Sequence, residues 1–466
     1  MKALLFYTLI LISAQLAAQD NTSTITLSEY LGYVKKYHPI VKQANLLLNE
    51  SEAKLLKSRG AFDPKLEVDY DRKAFDSKEY YDKLNATFKI PTWYGIEFKA
   101  NFEENEGLFL NPESNIPSEG LYSAGISVSV AQGLLINNRM AVLKQSKLFV
   151  KQAKADRQLL VSNILYEATL SYFKWLQAFK EKQVYKEFLT NADIRFEGIK
   201  KSYEAGEVAA IDTLEAKIAL NSRKLNLEKA RVKLIKSALE LSNYLWLNED
   251  TPIEIKDNIS PDINTIETIG GVLNISHIAL ENMDLNNHPK LQSLNYKLQS
   301  LSIEKRLKYN NLLPKIDLQY NFLSQTPELS RSFSTSAYKS GVNISFPLFL
   351  RKERGDLKLT KLKLQDAQFD IKTTQVTLKN KIEAAKQEIE SLQQQNELTK
   401  SIVQGYETML SAEERKLFLG ESSLFLINSR ESKLIDSKLK AIELEIDLLN
   451  KTASLVNVLA LSNDTI

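Results

Sequence analysis

The chain has 466 residues, 43% hydrophobic and 26% charged, and its 61 basic against 58 acidic residues give no electrostatic reason to expect a nucleic-acid partner. It holds no cysteine, which excludes disulfides, zinc–thiolate sites, a catalytic thiol and a lipid anchored on a cysteine behind a signal segment. With only 15 glycines and 11 prolines it has few places to turn, so long uninterrupted elements are expected rather than a many-looped fold.

Residues 1–19 read as a secretory signal: Met1-Lys2, an apolar run from Ala3 to Ile12, then small residues at Ala14, Ala17 and Ala18. The run is shorter than the ~20 residues of a spanning helix, and no later stretch reaches that length. If the mature chain crosses a membrane it must therefore do so as a β-barrel.

The rest is a repeat. His38, Pro39, Pro64, Lys65 and Tyr70 recur as His288, Pro289, Pro314, Lys315 and Tyr320 at one offset of 250. Gly125-Ile-Ser-Val-Ser-Val then matches Gly341-Val-Asn-Ile-Ser-Phe at an offset of 216, and Gly206-Glu207 matches Gly420-Glu421 at 214. Repeat 1 thus covers 20–247 and repeat 2 covers 277–466, with 248–276 as the linker, and repeat 1 carries 34 extra residues between Pro64 and Gly125.

In repeat 1 a helix at about 27–59 precedes four strands at about 64–71, 83–91, 95–103 and 121–130, each alternating apolar and polar residues. Segments 72–82 and 104–120 read as long polar loops, whereas Pro91 to Gly95 is a tight turn. Aromatic residues such as Tyr80, Trp93, Tyr122 and Phe346 gather near strand ends, where a membrane girdle would sit. A soluble sheet would alternate in the same way. A proline-free helix from about Asn138 to Glu204 follows, about 100 Å long at 1.5 Å per residue. It turns at Gly206 and returns, giving a helical hairpin over about 138–247. The return carries Ile211, Ile218, Leu225, Val232, Leu239 and Trp246 on a seven-residue seam, with Leu220, Leu227, Leu234 and Leu241 off it.

Repeat 2 repeats this: a helix at about 277–310, two strands at about 314–323 and 340–348, and a hairpin over about 352–461 turning at Gly420. Its outgoing helix has a seam of Leu357, Leu364, Ile371, Leu378, Ala385 and Leu392, its return one of Ile427, Leu434, Ala441 and Leu448. Apolar flanks beyond these seams call for further copies of the chain, a tight monomeric bundle being the alternative.

Two tandem units of helix, strands, long helix, glycine turn and return resemble the TolC family of outer membrane factors. Tyr203-Glu-Ala-Gly-Glu-Val-Ala-Ala-Ile-Asp-Thr-Leu-Glu-Ala-Lys217 is similar to the family's periplasmic turn, and Leu419 to Glu431 to its second copy. The resemblance implies a mainly α fold of long antiparallel hairpins plus membrane β-strands, assembled as a homotrimer with a shared barrel and a periplasmic α-helical tunnel. It implies a channel of a tripartite efflux or type I secretion system in the outer membrane of a Gram-negative bacterium. Its partners would be a periplasmic adaptor and an inner-membrane transporter of RND, ABC or MFS type, with no enzymatic activity and no cofactor. Adaptor contacts would map to Gly206, Glu207, Val208, Gly420, Glu421, Ser422 and Ser423.

The chain departs from the family pattern twice. It offers six strands rather than four, eighteen per trimer rather than twelve if the extra hairpin joins the barrel. Where characterised members carry acids lining a closed aperture it has Leu426 and Ser429, so an acidic ring would come from Asp212 and Glu215 of repeat 1. His38, His277 and His288 are too few for a metal cluster, and the two His-Pro pairs read as helix-start turns. No phosphate loop or nucleophile motif is present. The rival reading is a periplasmic coiled-coil adaptor or scaffold that never enters a membrane.

Overall fold

The computed structural model describes residues 23–273, 285–327 and 334–460. The signal segment lies outside these residues, as do 274–276 of the linker and the first residues of the helix expected from 277. In chain order the elements are β1 (Ser23–Ile25), α1 (Leu27–Tyr37), α2 (Pro39–Arg59), β2 (Lys65–Phe75), β3 (Lys78–Pro91), β4 (Ile96–Glu106) and β5 (Leu121–Ser129). Then come α3 (Asn138–Glu204), α4 (Ala210–Ser242), β6 (Ile259–Pro261), α5 (Thr265–Val272), α6 (Pro289–Asn310), β7 (Lys315–Ser324), β8 (Tyr338–Ser345), α7 (Arg351–Phe418) and α8 (Leu424–Leu459). Among the described residues no helix is long and apolar enough to cross a membrane.

The chain divides into two compact units. One comprises residues up to Asn45, Gln158–Asp284 and Val376–Ile466; the other comprises Leu46–Arg157 and Leu285–Gln375.

The first unit is helical, and its core is aromatic. Tyr172, Phe173, Trp175 and Leu176 on α3 pack with Tyr30, Leu31 and Val34 of α1, Leu241 of α4 and Leu449 of α8. A capping box starts α1: Thr26 Oγ1 accepts from Glu29 N at 3.2 Å while Glu29 Oε2 accepts from Thr26 N at 2.9 Å. The expected helix over 27–59 is broken at His38-Pro39, because proline cannot continue an α-helix begun before it and restricts the residue ahead of it. His38 stays in the β region, and its Nδ1 accepts from Ile40 N at 3.2 Å; in repeat 2, His288 does the same for Lys290 N at 3.1 Å.

The linker is no idle connection. Within 248–273, β6 pairs in parallel with β1, and Ile269 and Leu273 enter the core. Tyr172 joins the two strands: its hydroxyl donates to the Ile25 carbonyl at 2.9 Å and accepts from Asp262 N at 3.1 Å. Burial pushes that phenol up to about 12, so it remains a donor.

The stripe of α4 that faces the core is not the one its larger residues mark. Ala216, Leu220, Arg223, Ala230, Ser237 and Leu241 are buried, and Leu227 and Leu234 are half-buried between them. Ile211, Ile218, Leu225, Val232 and Leu239 are 51–66% exposed. Both stripes repeat every seven residues, so period alone does not rank them. The stripe of small residues admits neighbouring helices closely; the bulkier one stays outside. The seam of α7 does fall where the sequence places it, with Leu357 and Ala385 buried and Leu364, Ile371, Leu378 and Leu392 half-buried.

The second unit is built on one antiparallel sheet in the order β2-β3-β4-β5-β7-β8, curled into part of a barrel wall. Pro91-to-Gly95 is the expected tight turn, with Gly95 at φ +69°. Residues 72–82 are not a long loop. They are paired strand, closed by Asp76-Ser77 at φ +52° and +57°, the two left-handed residues of a tight hairpin. Between β7 and β8, residues 328–333 lie outside the described ones.

Candidate functional site

Two places carry the chemistry of this chain: the helical tips in the first unit and the sheet in the second.

The tips are alike in backbone. Gly206 N donates to Tyr203 O and Glu207 N to Ser202 O, each at 2.9 Å; Gly420 N donates to Leu417 O at 3.0 Å and Glu421 N to Lys416 O at 2.9 Å. Both are the same helix-ending motif, which requires a left-handed residue, and both glycines take it, at φ +78° and +77°. Glu207 and Glu421 are exposed at the turns, and Val208 is half-buried. Ser423 caps α8, its side chain accepting from Leu426 N. Ser422 Oγ donates to Glu413 Oε1 at 2.6 Å, tying the turn to α7. The tips also expose large apolar side chains: Tyr203, Ile211 and Leu214 on one hairpin, Phe418, Leu419 and Phe425 on the other. The sequence reading missed this second set, although two adjacent apolar residues just ahead of a turn glycine were a signal for it.

The four residues expected at an aperture divide. Asp212 accepts from Ala209 N at 3.2 Å and so caps its own helix, and Glu215 accepts from Asn428 Nδ2 at 3.0 Å, joining α4 to α8. Leu426 and Ser429 are exposed and stand on the same helix as Asn428. The structure therefore brings Glu215 and the Leu426–Ser429 turn together, while Asp212 is engaged in its own turn.

A group not anticipated from sequence lies close behind. Glu431 of α8 is 1% exposed and is held by Arg195 Nη1 at 2.7 Å and Arg223 Nε at 3.1 Å, from α3 and α4. Arg223 Nη2 also donates to Ser432 Oγ at 3.2 Å. The triad clamps three helices in one step, and the only signal for it was an arginine at a seven-residue spacing from Ala216, Ala230 and Ser237.

In the second unit the pairing register sorts side chains by face. Leu66, Phe88, Ala100, Ala124, Phe322 and Tyr338 form one row across all six strands. A second apolar row on that face runs Ile90, Phe98, Ile126 and Tyr320. The opposite face carries Lys65, Lys89, Lys99, Gly125, Asn321 and Lys339 in one row, and Glu67, Thr87, Asn101 and Ser123 in another. The polar face bounds a hollow of about 590 Å³ lined by Glu97, Lys99, Arg139, Lys315, Asp317 and Gln319. One greasy and one wet face, continuous over six strands, is the wall a membrane channel needs. The extra hairpin, β3–β4, is a full member of it.

A family model described as outer membrane efflux protein matches residues 280–460. Among curated proteins none matches the sequence. Solved structures do match. The Campylobacter jejuni CmeC outer membrane channel superposes with a TM-score of 0.65 at 14% identity, over 93% of this chain and 85% of that one. The chain has the fold of a TolC-type outer-membrane channel. The outer membrane protein VceC from Vibrio cholerae gives 0.64 at 12% identity, over 93% and 96% of the two chains. The Neisseria gonorrhoeae MtrE outer membrane channel, solved in an open state, gives 0.64 at 12% identity, over 93% and 88%. The matched family model is one of channels and not of enzymes.

Proposed function

We propose that this chain is the outer-membrane channel subunit of a tripartite efflux or type I secretion system. As a homotrimer it passes substrates outward without chemistry of its own. The observation that carries the reading is the six-stranded sheet with one apolar and one polar face, attached to helices of 67 and 68 residues. The apolar face meets outer-membrane lipid and the polar face lines the pore, while the long hairpins extend into the periplasm. The exposed heptad stripe of Ile211, Ile218, Leu225, Val232 and Leu239 is the surface that another copy covers, since an apolar stripe of that length is not left to water.

A periplasmic adaptor docks on the tips, at Gly206, Glu207 and Val208 in one hairpin and Gly420 to Ser423 in the other. An inner-membrane transporter of RND, ABC or MFS type supplies the substrate. At the closed end of the pore, Leu426 and Ser429 line the aperture, with Glu215 and Asp212 behind them. The chain offers no cysteine to carry a lipid anchor.

Fractionation of expressing cells tests the reading. Recovery with the outer membrane as a detergent-stable species that heat reduces to monomer supports it. Recovery in the soluble periplasm as a monomer overturns it in favour of a coiled-coil scaffold.

A further inference from the structure

The two edges of the sheet fit each other. β2 is exposed along all 11 of its residues and β8 along all 8, and neither has a strand partner on its outer side among the described residues. Such open edges are templates for pairing. In an antiparallel run of six, the first and last strands point in opposite directions. β8 of one copy therefore meets β2 of the next as an antiparallel neighbour.

The internal repeat supplies the register. β5 and β8 are equivalent at an offset of 216, and β2 and β7 at an offset of 250. The pairing of β5 with β7, which joins repeat 1 to repeat 2 inside the chain, is thus a template for β8 with β2 between copies. Within the chain Gly125 pairs with Asn321, Ser127 with Gln319, and Val128 with Leu318. Shifted by the two offsets, Gly341 falls opposite Asp71, Asn343 opposite Asp69, and Ile344 opposite Val68 of the next copy. The faces agree: Val342 and Ile344 join Tyr70 and Val68 on the apolar side, while Ser345 and Asn343 join Glu67 and Asp69 on the polar side. Ser129 Oγ donates to Asp317 Oδ1 at 2.6 Å inside the chain, and Ser345 stands in the same relation to Glu67.

Gly341 gives an independent sign. A side chain at its counterpart Gly125 would come within 2.1 Å of the Tyr320 carbonyl and 2.3 Å of Asn321 Oδ1, so only glycine lets β5 and β7 approach there. At Gly341 nothing lies within 4 Å, and the single chain offers no reason for glycine. A second copy's β2 supplies one.

We infer that β8 of each copy pairs with β2 of the next in the register Gly341–Asp71, so that three copies close an eighteen-stranded barrel rather than a twelve-stranded one. This rests on the trimeric channel reading above. At ~4.8 Å between strands and a tilt of ~40°, eighteen strands make a wall about 36 Å across, against about 24 Å for twelve. The extra hairpin of repeat 1 widens the outer-membrane section by half.

The absence of native cysteine makes the test clean. Directly opposed residues in antiparallel strands have Cα atoms ~4.5–5.5 Å apart, within disulfide reach. Asn343→Cys with Asp69→Cys is expected to give a covalent trimer on mild oxidation. Asn343→Cys with Lys73→Cys, four residues or about 13 Å along the strand, should give none. Gly341→Val should lower the yield of detergent-stable trimer while leaving the monomer folded. Cross-linking of the second pair but not the first overturns the register. A heat-labile trimer in which neither pair cross-links overturns the edge pairing and leaves the trimeric channel standing. A membrane-bound monomer removes the trimeric reading itself. A cross-linked trimer whose wall shows twelve strands overturns the count.

Discussion

Glu431 shows how much can hang on one side chain. Taking a carboxylate out of water is costly, and here the charges of two guanidinium groups, with a hydrogen bond from Arg223 to Glu431 Oε1, offset that cost. Glu431→Leu leaves both arginines without their shared partner, and it should destabilise the helical unit by about 3–5 kcal/mol, read as a lower denaturant midpoint. Replacing Arg195, Arg223 and Glu431 together by apolar residues should recover most of that loss, because no charge then stays buried unpaired. His38 gives a pH test. Its ring stacks at 5.9 Å on Tyr244, and burial holds its imidazole below the ordinary 6.5, against a backbone hydrogen bond to Asn243. As pH falls, the unfolded chain takes up this proton first. The contribution of His38 is therefore complete above ~6.5 and is lost as pH drops below that value. His38→Asn, which keeps a side-chain acceptor at the helix start, should flatten the fall in stability between pH 7 and pH 5. That the two His-Pro pairs begin helices was legible from sequence, because a proline fixes what its neighbour can do. Glu431's partners were not, since they come from helices more than 200 residues away.

At the scale of the element, alternation and punctuation were the legible signals. The strand starts at Lys65 and Lys315 and both tip glycines stand where the repeat puts them, and the turn at Gly95 stands where its own glycine marks it. The Asp76-Ser77 hairpin was hidden because neither residue is glycine, and polar strand residues on both sides of it read as loop. On α4 the period was right and the face was wrong, because two apolar stripes share one spacing and only packing partners distinguish them. This reversal makes a prediction. Ile218→Lys with Leu225→Lys touches nothing buried, so the monomer should keep its helix content by circular dichroism, whereas the detergent-stable trimer should be lost. The corresponding change on the buried stripe, Leu220→Lys, should instead unfold the hairpin locally and open it to protease. At the tips, Gly206→Val and Gly420→Val each force a β-branched residue to φ near +78°, at a cost of about 1–2 kcal/mol. Limited proteolysis should then cut first at the altered turn.

For the whole molecule, the duplication is unequal in a way that assigns a role to each half. The hairpins are copied almost residue for residue, with Gly206-Glu207 and Gly420-Glu421 ending their outgoing helices in the same motif. The strands are not copied evenly: repeat 1 inserts β3–β4, and the register carries both faces of the sheet straight through the insertion. Sequence supplied the six strands and their alternation. The inserted pair joins the wall through hydrogen bonds to β2 and β5, its neighbours in the chain, whereas alternation marks a strand without naming the partner it bonds. Imaging the detergent-solubilised protein by electron microscopy is the most direct test of the channel. The prediction is three copies around one axis, a closed wall of eighteen strands and a helical tunnel on one side of it. A compact monomer without a continuous strand wall would contradict the channel, and a wall of twelve strands with β3–β4 lying outside it would contradict the barrel.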